Sequence, residues 1–292
     1  MADLSIFAHT VPLERVSHYT PLGIRFWDPA LGRAVTDGLE VTLWPPGRPE
    51  LARRAFRTRS GVYAFEGLPG FARLEFPDPE RPPQDSPPTV NPPVAASFLV
   101  RVLDRLGRYL PVLFGVDAPQ RGIYPTQPPP GPNLPGFFLF SAPARPATAS
   151  LGVARAQLVE RVNATARRPA AFAVLEVRTN GGPAWQGIAD AAGRVVVFFP
   201  YPPFVFPTPP PPDPTPGWDV TVRVRYQSPP LPTAPPHGDV PNLADVLNQP
   251  AARLRTAESG PGQPLTELTT RVAFGRPLEL RTGALSELLI EP

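Results

Sequence analysis

An all-β chain built from two tandem β-sandwich modules is what this sequence predicts, and three observations carry the prediction. Proline occurs 48 times in 292 residues, and a residue without an N–H and with a fixed φ leaves little room for regular helix. Apolar and polar residues alternate over short runs, the mark of half-buried strands. The same order of runs and turns then occurs twice along the chain. Two modules also suit the length, since single domains usually span about 100–200 residues.

Taken in order, residues 1–19 form an N-terminal arm. The first module, 20–124, holds alternating strands at 23–27, 39–44, 62–65 and 98–103. A Pro-rich linker follows over 125–149. The second module, 150–236, holds strands at 153–158, 171–177, 194–199 and 220–226, and carries a Pro-rich insertion at 202–216. Each half runs from a strand after Gly23 or Gly152 to one at Leu39 or Ala171. A turn at Gly61 or Gly193 then leads to a strand closed by Pro69 or Pro200. This order reads as an internal duplication, with two unrelated sandwiches of similar spacing as the other reading. The proline clusters at 76–93, 125–135, 202–216 and 229–236 have the composition of stiff polyproline II, suited to bridging sheets or lying across neighbouring surfaces. The C-terminal extension, 237–292, opens with a helix expected over 242–253, capped by Asn242 and ended near Pro250. Strands at 268–274, 278–281 and 288–290 follow, to complete a sheet or dock on a partner.

Three turns share one chemistry. Asp28 leads to Gly32-Arg33, Asp104 to Gly107-Arg108, and Asp190 to Gly193-Arg194. Asp accepts hydrogen bonds from the N–H groups of its own turn and Gly takes the positive φ, so each reads as a β-turn. A calcium loop is the functional alternative, but one carboxylate per turn falls short of the roughly six oxygens that calcium wants.

No cysteine is present, which removes disulfides and thiolate metal sites. No lysine is present either, so all 28 basic residues are arginine, set against 25 acids. Dispersed and matched in this way, with Arg53-Arg54 and Arg167-Arg168 as the densest pairs, they argue against nucleic-acid binding. A phosphate-binding G-x-x-x-x-G-K loop cannot exist without lysine, and no nucleophile elbow is found, Ser60-Gly61 reading as a turn. His9, His18 and His237 lack partners at metal-ligand spacing. No catalytic, cofactor-binding or metal residue is therefore assigned, and no enzyme activity is expected. Trp27, Trp44, Trp185 and Trp218 lie on or beside strands and read as core, but two of them exposed and coplanar would make a sugar-stacking surface. The N-terminus lacks the pattern of a signal peptide, so cytoplasmic synthesis is expected, and the longest apolar run, at 195–206, is too short and Pro-broken for a membrane span.

Two resemblances follow from particular residues. The run from Ala171 to Val177, then Trp185-Gln186-Gly187-Ile188-Ala189-Asp190-Ala191-Ala192-Gly193-Arg194 and the closing Pro200, resembles the carboxypeptidase-regulatory or transthyretin-like sandwich, an Ig-like β fold. The pattern returns without its Asp at 39–43, 60–65 and 68–70. It implies the fold and says little of function. The run from Phe98 through Asp104 and Gly107 to Pro111, with Val116-Asp117-Ala118-Pro119 and Phe140-Ser141-Ala142-Pro143-Ala144-Arg145-Pro146, resembles proteins of phage-tail-like contractile injection particles. That resemblance implies a non-enzymatic structural or adaptor subunit, at a baseplate or peripheral position, whose partners are other protein subunits and whose particle acts outside the cell. A carbohydrate-binding or adhesive module is the alternative.

Overall fold

A computed structural model describes residues 20–71, 95–120, 123, 135–163, 166–203, 216–233, 240–257 and 264–292. The N-terminal arm, the three histidines and most of the four proline clusters lie outside these residues. Among the described residues the fold is all-β, with 47% strand against 4% helix.

The N-terminal half contains β1 (Gly23–Ile24), β2 (Phe26–Asp28), β3 (Arg33–Ala34), β4 (Leu39–Trp44), β5 (Arg53–Arg54), β6 (Phe56–Arg57), β7 (Tyr63–Ala64), β8 (Ala96–Asp104), β9 (Val112–Ala118) and β10 (Phe137–Phe138). One sheet has the order β5-β4-β8-β9, facing two smaller ones ordered β1-β7-β6 and β10-β2-β3. Alternation decides which side chains meet: Val41 and Leu43 of β4, Phe98, Val100 and Val102 of β8, and Ile24 and Phe26 of the opposing strands are all buried in one cluster. Burying each such side chain contributes about 1.5–3 kcal/mol.

The C-terminal half contains β11 (Leu151–Arg161), β12 (Arg167–Pro169), β13 (Val174–Thr179), β14 (Ala184–Ile188), β15 (Arg194–Pro200), β16 (Gly217–Arg225), α1 (Leu243–Leu247), β17 (Ala251–Leu254), β18 (Leu268–Ala273), β19 (Leu278–Leu280) and β20 (Leu288–Glu291). Its pairings follow those of the first half. The leading strand, β1–β2 or β11, lies antiparallel to β7 or β15 and to β3 or β12, and parallel to a late strand, β10 or β19 and β20. The second long strand, β4 or β13, lies between β5 or β14 and β8 or β16, and a further strand, β9 or β18, adds beyond. β17 has no counterpart among the described residues and links β16 to β20.

Two expectations change in detail, and of the two readings of the C-terminal strands sheet completion is the one seen. The helix over 242–253 is shorter: Asn242 caps it, accepting from Ala244 N at 3.0 Å, but it ends at Leu247 and residues 251–254 are strand β17. The linker expected over 125–149 carries β10, because Phe137 buries in the first core and Phe137 and Phe138 pair with Phe26 and Trp27. The C-terminal strands complete sheets of the chain itself, with Val272, Leu280, Leu288 and Ile290 buried in the C-terminal core.

The halves share apolar contacts. Val174, Ile188, Leu243 and Val246 belong to the same buried cluster as the N-terminal core, and Ala30 packs with Leu151, Val153, Val196 and Phe198. α1 fits here because its apolar positions, Leu243 and Val246, fall three apart on one helical face and both turn inward.

Candidate functional site

The three Asp-led turns fold as the sequence predicts, and then diverge. Gly32, Gly107 and Gly193 all take positive φ. In the second turn Asp104 accepts from the N–H groups of Leu106, Arg108 and Tyr109, and from Arg108 Nε at 3.1 Å. In the third, Asp190 accepts from Ala192 N, Arg194 N and Arg194 Nε, each at 2.9 Å. Both motifs place Arg four residues after Asp. The first turn is one residue longer, Arg33 stands opposite Asp28 in the ladder, and the carboxylate turns inward.

There Asp28 is completely buried and accepts from Leu31 N at 3.1 Å, from Tyr109 Oη at 2.7 Å and from Arg145 Nη2. Arg145 also donates to Ser141 Oγ at 2.8 Å, and its guanidinium lies 5.1 Å from the Tyr109 ring and 5.0 Å from the Phe198 ring of the other half. Burial, followed by the Asp28 carboxylate, pushes the Tyr109 hydroxyl well above the usual phenol range. A buried carboxylate survives in this way only when paired and hydrogen-bonded.

A second such network lies in the C-terminal half. Glu160, near the end of β11, accepts from Tyr226 Oη at 2.8 Å and from Arg168 Nε. Burial works against its ionisation, but the hydrogen bonds from Arg168, Ser228 and Tyr226 win and hold its carboxyl below the usual range. Burial and then Glu160 push the Tyr226 hydroxyl up to about 12. In both halves the carboxylate ends the leading strand and the tyrosine follows the strand β8 or β16, while the arginine comes from different elements. Sequence inspection missed both networks.

Between the halves lies a cavity of about 200 Å³ with walls that include Leu110, Val112, Phe172, Ile188, Pro241 and Val246. Phe172 holds φ 61°, unusual for a bulky side chain, and its carbonyl accepts from Gln249 Nε2 at 2.8 Å. Asp190 is the one ionisable residue of the lining, and both its oxygens are already engaged in its own turn. The cavity therefore presents apolar surface and no carboxylate set for proton transfer.

The tryptophans are placed by their strands. Trp44 is buried. Trp27 donates to Pro135 O at 3.0 Å beneath the Arg25 guanidinium. Trp185 and Trp218, each half-buried, pack against the C-terminal core. Trp218 stacks on Tyr201 at 4.9 Å, and Phe274, which is 50% exposed, lies 5.0 Å from Tyr201. This half-open aromatic cluster escaped sequence inspection, because Tyr201, Trp218 and Phe274 come from three separate segments that only the fold brings together. Among the described residues no three His, Cys, Asp or Glu side chains gather as a metal site, and no helix is long and apolar enough to cross a membrane.

No protein-family model and no curated protein matches the chain. Among solved structures, a Ca2+-stabilized adhesin that helps an Antarctic bacterium reach out and bind ice is 10% identical, over 90% of this chain and 50% of that one, at a TM-score of 0.16. The chain thus spans about half that adhesin's length, and a likeness so slight carries no argument about fold or function.

Proposed function

We propose that the chain is a tandem pair of Ig-like, transthyretin-like sandwich modules that works without catalysis, as a structural or adaptor subunit contacting other protein chains in a large assembly. The observation that carries this reading is the joint. A shared apolar cluster and the buried Asp28–Tyr109–Arg145 network, closed by Phe198, tie one half to the other. A subunit that must hold neighbours at fixed spacing needs such a joint, whereas a site that closes on substrate needs a mobile one. The matched strand order of the halves supports duplication of one module. A phage-tail-like contractile particle is the assembly to which the sequence resemblance points. Affinity capture from the native host followed by mass spectrometry tests it: sheath, tube or baseplate proteins in fixed ratio are expected, and no stable partner overturns it.

The second reading, a carbohydrate-binding or adhesive module, is favoured by the Tyr201–Trp218–Phe274 cluster, since sugars stack on exposed aromatic faces. Glycan-array binding that Phe274→Ala abolishes would promote it over the first.

A further inference from the structure

Residues 48–59 hold five arginines and one glutamate, a balance of +4 in a chain whose total is +3. The rest of the protein is therefore close to neutral, and the arginines are less dispersed than the sequence reading held. This segment is also an edge. β5 ends the sheet β5-β4-β8-β9 and β6 ends the sheet β1-β7-β6, so residues 53–57 form one margin of two of the three N-terminal sheets.

The register says which groups point outward. Ala55 N donates to Val41 O at 2.8 Å and Thr58 N to Val62 O at 2.8 Å. In an antiparallel ladder the residues between such pairs turn their backbone away, which puts the N–H and C=O of Arg54 and Arg57 on a margin that no described strand pairs. Phe56, between them, is 42% exposed. Glu50 pairs with Arg48 and Glu40 with Arg105, and Glu40 also lies within electrostatic reach of Arg54. Arg54 and Arg59 donate no hydrogen bond to any described residue, while Arg53 and Arg57 donate to the carbonyls of Gly67 and Thr36.

From this placement we infer that the 53–59 margin is a docking edge for an acidic, extended segment of a partner polypeptide. The inference rests on the adaptor reading and names the partner's chemistry. Main-chain groups of Arg54 and Arg57 pair with the incoming strand, Phe56 gives it an apolar contact, and the guanidiniums of Arg54 and Arg59 take its carboxylates. Charged residues on an edge strand commonly prevent self-pairing. Here the same repulsion excludes a second copy of this margin and any basic strand, and so selects for the opposite charge. A nucleic acid would use the arginines but leave the outward backbone groups unused.

The test uses the full chain with a synthetic peptide of alternating Glu and Thr, followed by fluorescence anisotropy. Binding is expected to weaken with salt and to fall about tenfold or more in Arg54→Glu/Arg59→Glu. That variant should gain affinity for a peptide of alternating Lys and Thr. Backbone N-methylation of the Glu peptide should also abolish binding. Indifference to N-methylation, or equal affinity for single-stranded DNA, overturns strand addition. Failure of the Glu peptide while host capture still recovers stoichiometric partners overturns this edge and leaves the adaptor reading standing. Circular dichroism of the charge-reversed variant separates lost binding from lost fold.

Discussion

The same three residue types, a carboxylate, a tyrosine and an arginine, form a network in each half, and the two networks differ in where the arginine lies. The Arg145 side chain is 9% exposed beneath the ring of Phe198, whereas the Arg168 side chain is 38% exposed beside Glu160. The first network is sealed by the other half of the molecule; the second opens to water. Dielectric surroundings, more than hydrogen-bond count, should therefore decide what each contributes. The contrast separates a joint that holds two halves together from a clasp inside one of them.

The largest effect should come from breaking the sealed network. Arg145→Ala leaves the buried Asp28 carboxyl without its cation, and loss of one partner of such a pair costs about 3–5 kcal/mol. Urea denaturation of Arg145→Ala and Arg168→Ala side by side should show a much larger fall in midpoint for the first. Equal falls would mean that the seal over Asp28 is not what separates the networks.

The turns sharpen the comparison next. Gly107 and Gly193 occupy the same place in the two Asp-x-x-Gly-Arg turns, with φ of 66° and 81°. A Cβ on Gly107 meets nothing within 4 Å, whereas one on Gly193 would lie 2.4 Å from the Leu158 carbonyl oxygen. Gly107→Ala should cost about 1–2 kcal/mol, the ordinary strain of a left-handed residue. Gly193→Ala should cost more, since backbone must also move, and thermal denaturation would order the pair.

Titration gives a smaller effect with opposite signs at the two ends of the pH scale. Tyr226 is raised to about 12, so the fold favours its neutral form. That stability is complete below the ordinary phenol value of 10 and is lost as pH rises toward 12. Glu160 is lowered, so its contribution is present above its ordinary value of 4.5 and is lost as pH falls through its folded value. Tyr226→Phe should remove about 1–3 kcal/mol near neutrality and flatten the alkaline limb. An unchanged alkaline limb in Tyr226→Phe would assign that limb to the other raised tyrosines, Tyr63 and Tyr109.

Much of this contrast was beyond sequence reading, for physical reasons. Alternation marked β4, β8, β11, β13, β15 and β16 and caught the short β1–β2 and β7, and Asn242 marked the start of α1, but β14 and β17 went unmarked. β9 was missed because Pro111 and Gly115 interrupt its pattern, and β3, β5, β6, β10 and β12 span two or three residues, too few for a period to appear. The Asp turns were legible because Asp, Gly and Arg lie within a few positions. The networks were not, since Tyr109 and Arg145 reach Asp28 across 81 and 117 residues, and no local rule connects groups so distant. Phe172 also starts late what alternation placed as a strand from Ala171, because its left-handed backbone cannot join the ladder before Val174.

The smallest effect belongs to a pair with good geometry and no seal. Arg223 on β16 donates from Nε at 2.9 Å and from Nη2 at 2.6 Å to the same oxygen of Glu267. These contacts are as short as those around Asp28, but the two side chains are 54% and 46% exposed. Water and salt screen such a pair, and ordering two long side chains offsets what attraction remains. Arg223→Ala should therefore shift the urea midpoint least of the variants named here, and added salt should erase what shift there is. A shift rivalling that of Arg145→Ala would mean that short hydrogen bonds alone set the energies. The two halves would then differ in appearance and not in strength.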